Sequence, residues 1–78
     1  MILYYIETTS GECFSETEET MKTTWLGEVS KITKISHGRF RIDFISGTIY
    51  PKEDDKIIRT LIIYPANIKR IHYKHGNN

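Results

Sequence analysis

The sequence predicts a mainly β domain: a small, strongly bent antiparallel sheet or a small barrel of about five strands. Alanine occurs once, at Ala66, while isoleucine is frequent, and β-branched side chains favour strands whereas alanine favours helices. Short apolar or alternating runs are separated by turn residues, which is the pattern of successive strands. With 78 residues, the chain is expected to form one domain, residues 1–78, that hides its sheet edges by bending or closing.

The N-terminal segment begins with a predicted hairpin. Residues 2–7 form an apolar, aromatic run that ends in the turn cluster 8–11, and residues 12–15 are its return strand. Two alternatives stay open for the segment that follows, near residues 16–26. One is a short helix with a capping box at its start; the other is a non-helical segment, because its threonines and Gly27 are poor helix residues.

After Gly27 the pattern becomes that of a sheet. Residues 28–36 are a predicted strand ending at the turn dipeptide His37-Gly38. The next strand, residues 39–45, alternates cleanly, with Phe40, Ile42 and Phe44 expected on the core face.

Two more strands complete the prediction. Residues 57–64 are apolar on both faces apart from two positions, which is typical of a central, doubly covered strand. A corner at Pro65-Ala66-Asn67 leads into the last strand, residues 68–74. Alternation in that strand predicts Ile71 and Tyr73 inside and the basic side chains outside.

The net charge of +1 argues against an obligate polyanion binder, but the charges are segregated along the chain. Residues 1–19 carry five acidic and no basic side chains, and residues 56–78 carry five basic and no acidic ones. Either the domain has two oppositely charged faces, or the two ends form cross-strand ion pairs in a small sheet.

The sequence offers no recognisable chemistry for catalysis. Cys13 is the single cysteine, so no intramolecular disulfide forms and a reducing, cytoplasmic location is expected. His37, His72 and His75 lack the spacing of a zinc site, and no phosphate-binding glycine loop is present. We therefore expect no metal, no cofactor, no catalytic residues and, without a long apolar run, no membrane association.

Seven basic side chains are the candidate partner-binding or nucleic-acid-binding residues. Four belong to one hairpin and three to the outward face of the last strand: Lys31, Lys34, Arg39, Arg41, Arg70, His72 and Lys74. Together they would form a positive surface suited to nucleic acid or to an acidic partner. The alternative is that they are the ordinary solvated faces of half-buried strands.

Parts of the sequence resemble the Src-homology-type small barrel. They are Leu3-Tyr4-Tyr5, the acidic stretch and tryptophan after it, and the corner Pro65-Ala66-Asn67-Ile68 between two strands. The last two strands of that family flank such a proline corner. The resemblance implies a barrel-like end of the fold and says nothing about proline-rich peptides.

Other parts resemble the C-terminal half of RelE/ParE-type toxins. They are Gly38-Arg39-Phe40-Arg41-Ile42, the strand 57–64 and Arg70-Ile71-His72-Tyr73. In the ribonuclease members, basic residues and a terminal Tyr or His on the sheet contact RNA. The resemblance implies that Arg41, Arg59, His72 and Tyr73 are the residues to test, although residues 11–36 are too short for the long helical hairpin of that family.

These observations favour a non-enzymatic binding or regulatory module that acts through protein–protein contact, with a homodimer as one form of it. The chain is small and lacks a catalytic constellation, and a small sheet offers edges and aromatic side chains to a partner. An RNA- or DNA-binding small β-barrel is the first alternative. A RelE/ParE-like ribonuclease toxin is the second.

Overall fold

The computed structural model describes residues 1–17, 23–24, 26–45 and 57–76. Antiparallel strands dominate it, as the sequence predicts. The strands are β1 (Ile2–Thr8), β2 (Cys13–Ser15), β3 (Thr23–Thr24), β4 (Gly27–Lys34), β5 (Phe40–Ile45), β6 (Ile57–Ile63) and β7 (Ile68–His75). They form a first sheet in the order β2-β1-β7 and a second sheet in the order β3-β4-β5-β6.

Two short 3-10 turns connect the longer strands. Ser36–Gly38 joins β4 to β5, where the sequence predicts the His37-Gly38 turn. Pro65–Asn67 joins β6 to β7 and so carries the chain from the second sheet to the first. Proline suits the first position of this turn because its φ is fixed and its missing N–H is not needed there. The proline corner implied by the barrel resemblance is present.

One apolar core lies between the two sheets. Its buried side chains come from both: Ile6, Phe14, Val29, Ile32, Phe40, Ile42, Phe44 and Ile63. Edge-to-face ring contacts cross from sheet to sheet, with centroids 5.2 Å apart for Tyr4 and Phe40 and 5.8 Å apart for Phe14 and Phe44. The alternation predicted for β5 is therefore confirmed, with Phe40, Ile42 and Phe44 all buried.

Glu16 ties the two sheets together. One carboxylate oxygen accepts the backbone N–H of Tyr4 in β1 at 2.9 Å, and the other accepts the N–H of Ile32 in β4 at 2.7 Å. The backbone N–H of Glu16 also donates to the Tyr4 carbonyl at 3.0 Å. A single carboxylate thus satisfies donors of both sheets where no strand pairing joins them.

Of the two predicted forms, the structure shows small antiparallel sheets: in the described part of the chain they stay open and do not close into a barrel. The fold differs from the sequence prediction in two places. The first concerns the short helix predicted near residues 16–26: Thr23 and Thr24 form β3 and are not helical, and residues 18–22 and 25 lie outside the described residues. The second concerns β6, which among the described strands is at the end of the second sheet and not at its centre; an apolar run does not reveal which strands flank it.

The last strand departs furthest from expectation. In register, Ile71 lies opposite Ile6 and Tyr73 opposite Tyr4, so both are on the core-facing side of the first sheet, as predicted. They are nevertheless exposed, because β7 is at the edge of the first sheet as far as the structure describes it, and the core ends before it. Among the described residues, no helix is both long and apolar enough to cross a membrane.

Candidate functional site

Two basic residues of the predicted hairpin, Lys31 and Arg41, lie near the buried Asp43 on the second sheet. Lys31 is exposed and lies opposite the buried Asp43 in the β4–β5 register. The Nε of Arg41 lies 3.6 Å from the same carboxylate, which also accepts the Thr60 hydroxyl at 3.0 Å. Lys31 and Arg41 therefore sit on the side of the second sheet that faces away from the core, around one compensating acid.

Arg39 and Lys34 have different surroundings. The Arg39 guanidinium donates to the carbonyl and the hydroxyl of Ser36 at 3.0 and 2.8 Å, which closes the 3-10 turn. Lys34 is exposed at the end of β4 and lines an open groove together with Phe40. The four hairpin residues thus do not form a single surface.

The terminal strand does bring its three predicted residues together. Arg70, His72 and Lys74, called the basic row below, project from β7 on the side away from the core and lie opposite Glu7, Tyr5 and Leu3 of β1. A hollow of about 380 Å³ lies along this row. The basic row and the hairpin residues Lys31 and Arg41 occupy the outer faces of different sheets, which point apart because one core separates them.

Glu7 neutralises one end of the basic row. Its carboxylate oxygens lie 3.8 Å from the Nζ of Lys69 and 3.8 Å from the Nε of Arg70. Two neighbouring strand residues reach one acid because the β1–β7 register skips Lys69, the extra residue of a β-bulge. The charge segregation seen in the sequence therefore appears here as cross-strand ion pairing.

Tyr5 lies at the centre of the same outer face. Its hydroxyl donates to Cys13 Sγ at 3.3 Å, and its ring centroid is 5.8 Å from that of His72. The hydrogen bond to Cys13, followed by partial burial, raises the pKa of the Tyr5 phenol above its ordinary value. Tyr5 is thereby oriented by contacts with both neighbouring strands.

An apolar groove opens where the core ends. This end groove, of about 550 Å³, is lined by Ile2, Tyr4, Lys34, Gly38, Phe40, Ile71, Tyr73 and His75. Ile2, Ile71 and Tyr73 are 41%, 39% and 66% exposed, although all three belong to the strands that cover the core. The two sheets thus leave part of their inner surface open to solvent.

Sequence reasoning missed the apolar residues of the end groove. Ile71 and Tyr73 alternate with the basic row, and that alternation predicts burial. Their exposure follows from the position of β7 at a sheet edge, which is a property of strand order. The sequence gives no local signal of this exposure, because the alternation of side chains is the same in an edge strand and in a central one.

The residues implied by the toxin resemblance do not converge. Arg41 lies on the outer face of β5, whereas Arg59 is opposite the buried Phe44 on the other face of the second sheet. His72 and Tyr73 are adjacent on β7 and project to opposite faces of the first sheet. The described part of residues 11–36 forms β2, β3, β4 and the start of a 3-10 turn, where that family carries a helical hairpin.

Within the described residues, no three His, Cys, Asp or Glu side chains are grouped closely enough to hold a metal ion. Comparisons with protein-family models, with curated proteins and with solved structures found no match. What this chain does is therefore inferred from its own residues.

Proposed function

We propose that this chain is a non-enzymatic protein-recognition module that binds a segment of a partner protein in the end groove. The exposure of Ile2, Ile71 and Tyr73 around one groove is the observation that carries the proposal. Exposed apolar side chains that are contiguous with a core and rimmed by polar groups are typical of protein-binding surfaces.

The groove has the chemistry of a side-chain pocket. Burying one large aliphatic or aromatic side chain stabilises a complex by about 1.5–3 kcal/mol before association costs. Tyr73 supplies an aromatic ring beside Tyr4, with centroids 6.4 Å apart, and aromatic residues dominate the energetics of protein interfaces. A groove of about 550 Å³ accommodates a few partner side chains, as in the recognition of a short segment.

The observations favour protein over nucleic acid as the occupant. Five of the eight residues that line the groove have apolar or aromatic side chains, which offer no compensation for phosphate: Ile2, Tyr4, Phe40, Ile71 and Tyr73. The predicted basic residues are divided between two sheets, and Glu7 and Asp43 lie within 4 Å of three cations. An RNA- or DNA-binding module would need these cations on one continuous surface.

Selection from a random peptide library tests the proposal. Immobilised wild-type protein is expected to enrich peptides that also bind it in solution. These peptides should bind the Ile71→Ser and Tyr73→Ser variants at least tenfold more weakly than they bind wild type. Lys31→Ser, on the outer face of the second sheet, is the matched control and should bind like wild type. Circular dichroism of each variant verifies folding, which these exposed positions should not disturb.

Two results would overturn the proposal. One is a selection that enriches no peptide, or peptides that bind equally well to Ile71→Ser and Tyr73→Ser. The other is tight binding of random-sequence RNA or duplex DNA that falls steeply with salt and is lost in Arg70→Ala and Lys74→Ala, which would establish the nucleic-acid alternative.

A further inference from the structure

We infer that the partner segment adds to β7 as an antiparallel strand in which apolar residues alternate with acidic ones. The inference rests on the proposed function and specifies the chemistry of the partner. It is carried by three features of β7: the direction of its backbone groups, the placement of its side chains, and its charge.

The backbone groups of alternate β7 residues point away from β1. Gly76 donates its N–H to the Met1 carbonyl at 2.9 Å, which makes this pair hydrogen-bonded. Antiparallel pairs alternate between hydrogen-bonded and non-hydrogen-bonded, so Tyr73, opposite Tyr4, belongs to a non-bonded pair. Consistent with this, the N–H and C=O of Tyr4 bind Glu16 on the far side of β1.

Ile71, Tyr73 and His75 therefore direct their N–H and C=O groups toward the open edge of the first sheet. Among the described residues no strand pairs with this side of β7. The same three residues place their side chains in the end groove. A strand added to this edge would satisfy their backbone groups and cover their side chains together.

Alternation divides the side chains of an added strand between two environments. Residues directly opposite Ile71 and Tyr73 would project into the end groove, where apolar side chains are favoured. Their neighbours would project beside the basic row on the outer face of the first sheet. An antiparallel partner strand is the simplest continuation, because every pairing described in the two sheets is antiparallel.

The charge of this edge selects an acidic partner. Five of the eight residues of β7 are Lys, Arg or His and none is acidic. Lys34 stands at the groove as well, and within the described residues Lys34 and Lys74 have no acidic partner. A carboxylate beside the basic row would therefore pair with Lys74 on the outer face, whereas Lys34 faces the end groove.

A second copy of this chain is a poor occupant by the same reasoning. Pairing of β7 with β7 of another molecule would set cationic side chains opposite cationic side chains, and directly opposed like charges destabilise a strand pair. The edge thus discriminates against self-association while it remains open to an acidic strand.

Synthetic peptides test the inference directly. The probe is a seven-residue peptide of alternating glutamate and valine, measured by calorimetry against wild-type protein. We expect it to bind at least tenfold more tightly than a peptide of the same composition arranged in blocks, and than the peptide with lysine in place of glutamate. The variant H72E/K74E should reverse the preference between the glutamate and lysine peptides.

N-methylation of the peptide backbone separates strand addition from side-chain docking. In the antiparallel register the valine N–H groups face β7, so N-methylation at the valines should abolish binding while N-methylation at the glutamates leaves it within threefold. Amide hydrogen exchange on the bound domain should slow at Ile71, Tyr73 and His75, whose N–H groups are open in the free protein, and remain unchanged at His72 and Lys74.

The outcomes distinguish the two proposals. If library-selected peptides require Ile71 and Tyr73 but tolerate both methylation patterns, strand addition is wrong and groove recognition stands. If the block peptide or the lysine peptide binds as well as the alternating acidic one, the assignment of partner chemistry is wrong. A shift of the free protein to dimer at the concentrations used, lost in Tyr73→Ser, would replace the acidic partner by a second copy.

Discussion

Titration of the Tyr5 phenol tests whether the contacts on the outer face of the first sheet are formed in solution. Its pKa is raised chiefly by the hydrogen bond to Cys13. Cys13→Ala should therefore lower that pKa toward the ordinary value of 10.0, whereas Cys13→Ser, which keeps an acceptor, should lower it less. Titration of the tyrosine rings by NMR measures both; equal values in wild type and Cys13→Ala would contradict the contact.

The direction of this shift fixes its effect on stability. Well below pH 10 the Tyr5 phenol is protonated in both the folded and the unfolded protein. Its hydrogen bond to Cys13 therefore contributes fully to the stability of the fold. As the pH rises above that value, the unfolded chain loses its Tyr5 proton before the folded one does, and folding becomes less favourable. Denaturation midpoints should fall over this alkaline range in wild type and fall less in Cys13→Ala.

The turn between β4 and β5 offers a second test at the residue scale. His37 and Gly38 both have positive φ, +62° and +71°, a region that costs side-chain-bearing residues about 1–2 kcal/mol. His37→Gly should therefore stabilise the domain by up to about 1 kcal/mol. Gly38→Ala should destabilise it by about 1–3 kcal/mol, because a Cβ there also lies 3.1 Å from Pro65. Urea denaturation measures both changes, and a neutral Gly38→Ala would contradict the turn geometry.

At the scale of the element, we expect the basic side chains of β7 to keep its edge, which no described strand covers, from pairing with itself. Their removal should therefore promote self-association, because an exposed strand that combines unpaired backbone with apolar side chains recruits another strand. The double variant H72V/K74V is expected to form dimers or larger species at concentrations where wild type is monomeric. Light scattering measures this, and Lys31→Val in the interior strand β4 is the control.

One outcome for H72V/K74V would contradict the protective role of charge. If the variant stays monomeric at every concentration tested, charge is not what protects the edge. The bulge at Lys69 would then remain as the protecting feature, since a bulge also disrupts strand addition.

At the scale of the whole molecule, Glu16 links two sheets that otherwise meet through side-chain packing. Glu16→Ala leaves the N–H groups of Tyr4 and Ile32 without their acceptor, and Glu16→Gln places an amide donor against one of them. Each should reduce the free energy of unfolding by about 1–3 kcal/mol. Lys31→Gln, an exposed side chain, should change it by less than about 0.5 kcal/mol.

Chemical denaturation measures the effect of each Glu16 substitution. If the m-value is unchanged, the shift of the midpoint reports a change in the free energy of unfolding alone. Such a loss is a large fraction of the total for a small domain, which typically unfolds at a cost of about 5–15 kcal/mol. A Glu16→Ala variant as stable as wild type would show that the sheets are held together without this carboxylate.

The sequence alone determined the strands other than β3 and much of their packing. Isoleucine-rich alternation located the strand of Phe40, Ile42 and Phe44, and glycine and proline located the turns at residues 36–38 and 65–67. These features were predictable because strand alternation and turn conformation are local properties, set by neighbouring residues. The basic row was predictable for the same reason, since Arg70, His72 and Lys74 project together from one strand.

Only the tertiary structure decided how these strands are arranged. The barrel alternative, the central position of the 57–64 strand and a shared surface for the seven basic residues all depend on strand order, which the sequence pattern does not encode. Glu16 accepts hydrogen bonds from Tyr4 and Ile32, which are separated from it by 12 and 16 positions in the sequence. No local rule predicts such a contact. The end groove exists because β7 is at an edge of the described first sheet and the core stops short of it, so Ile71 and Tyr73 follow the pattern of buried residues and yet remain exposed.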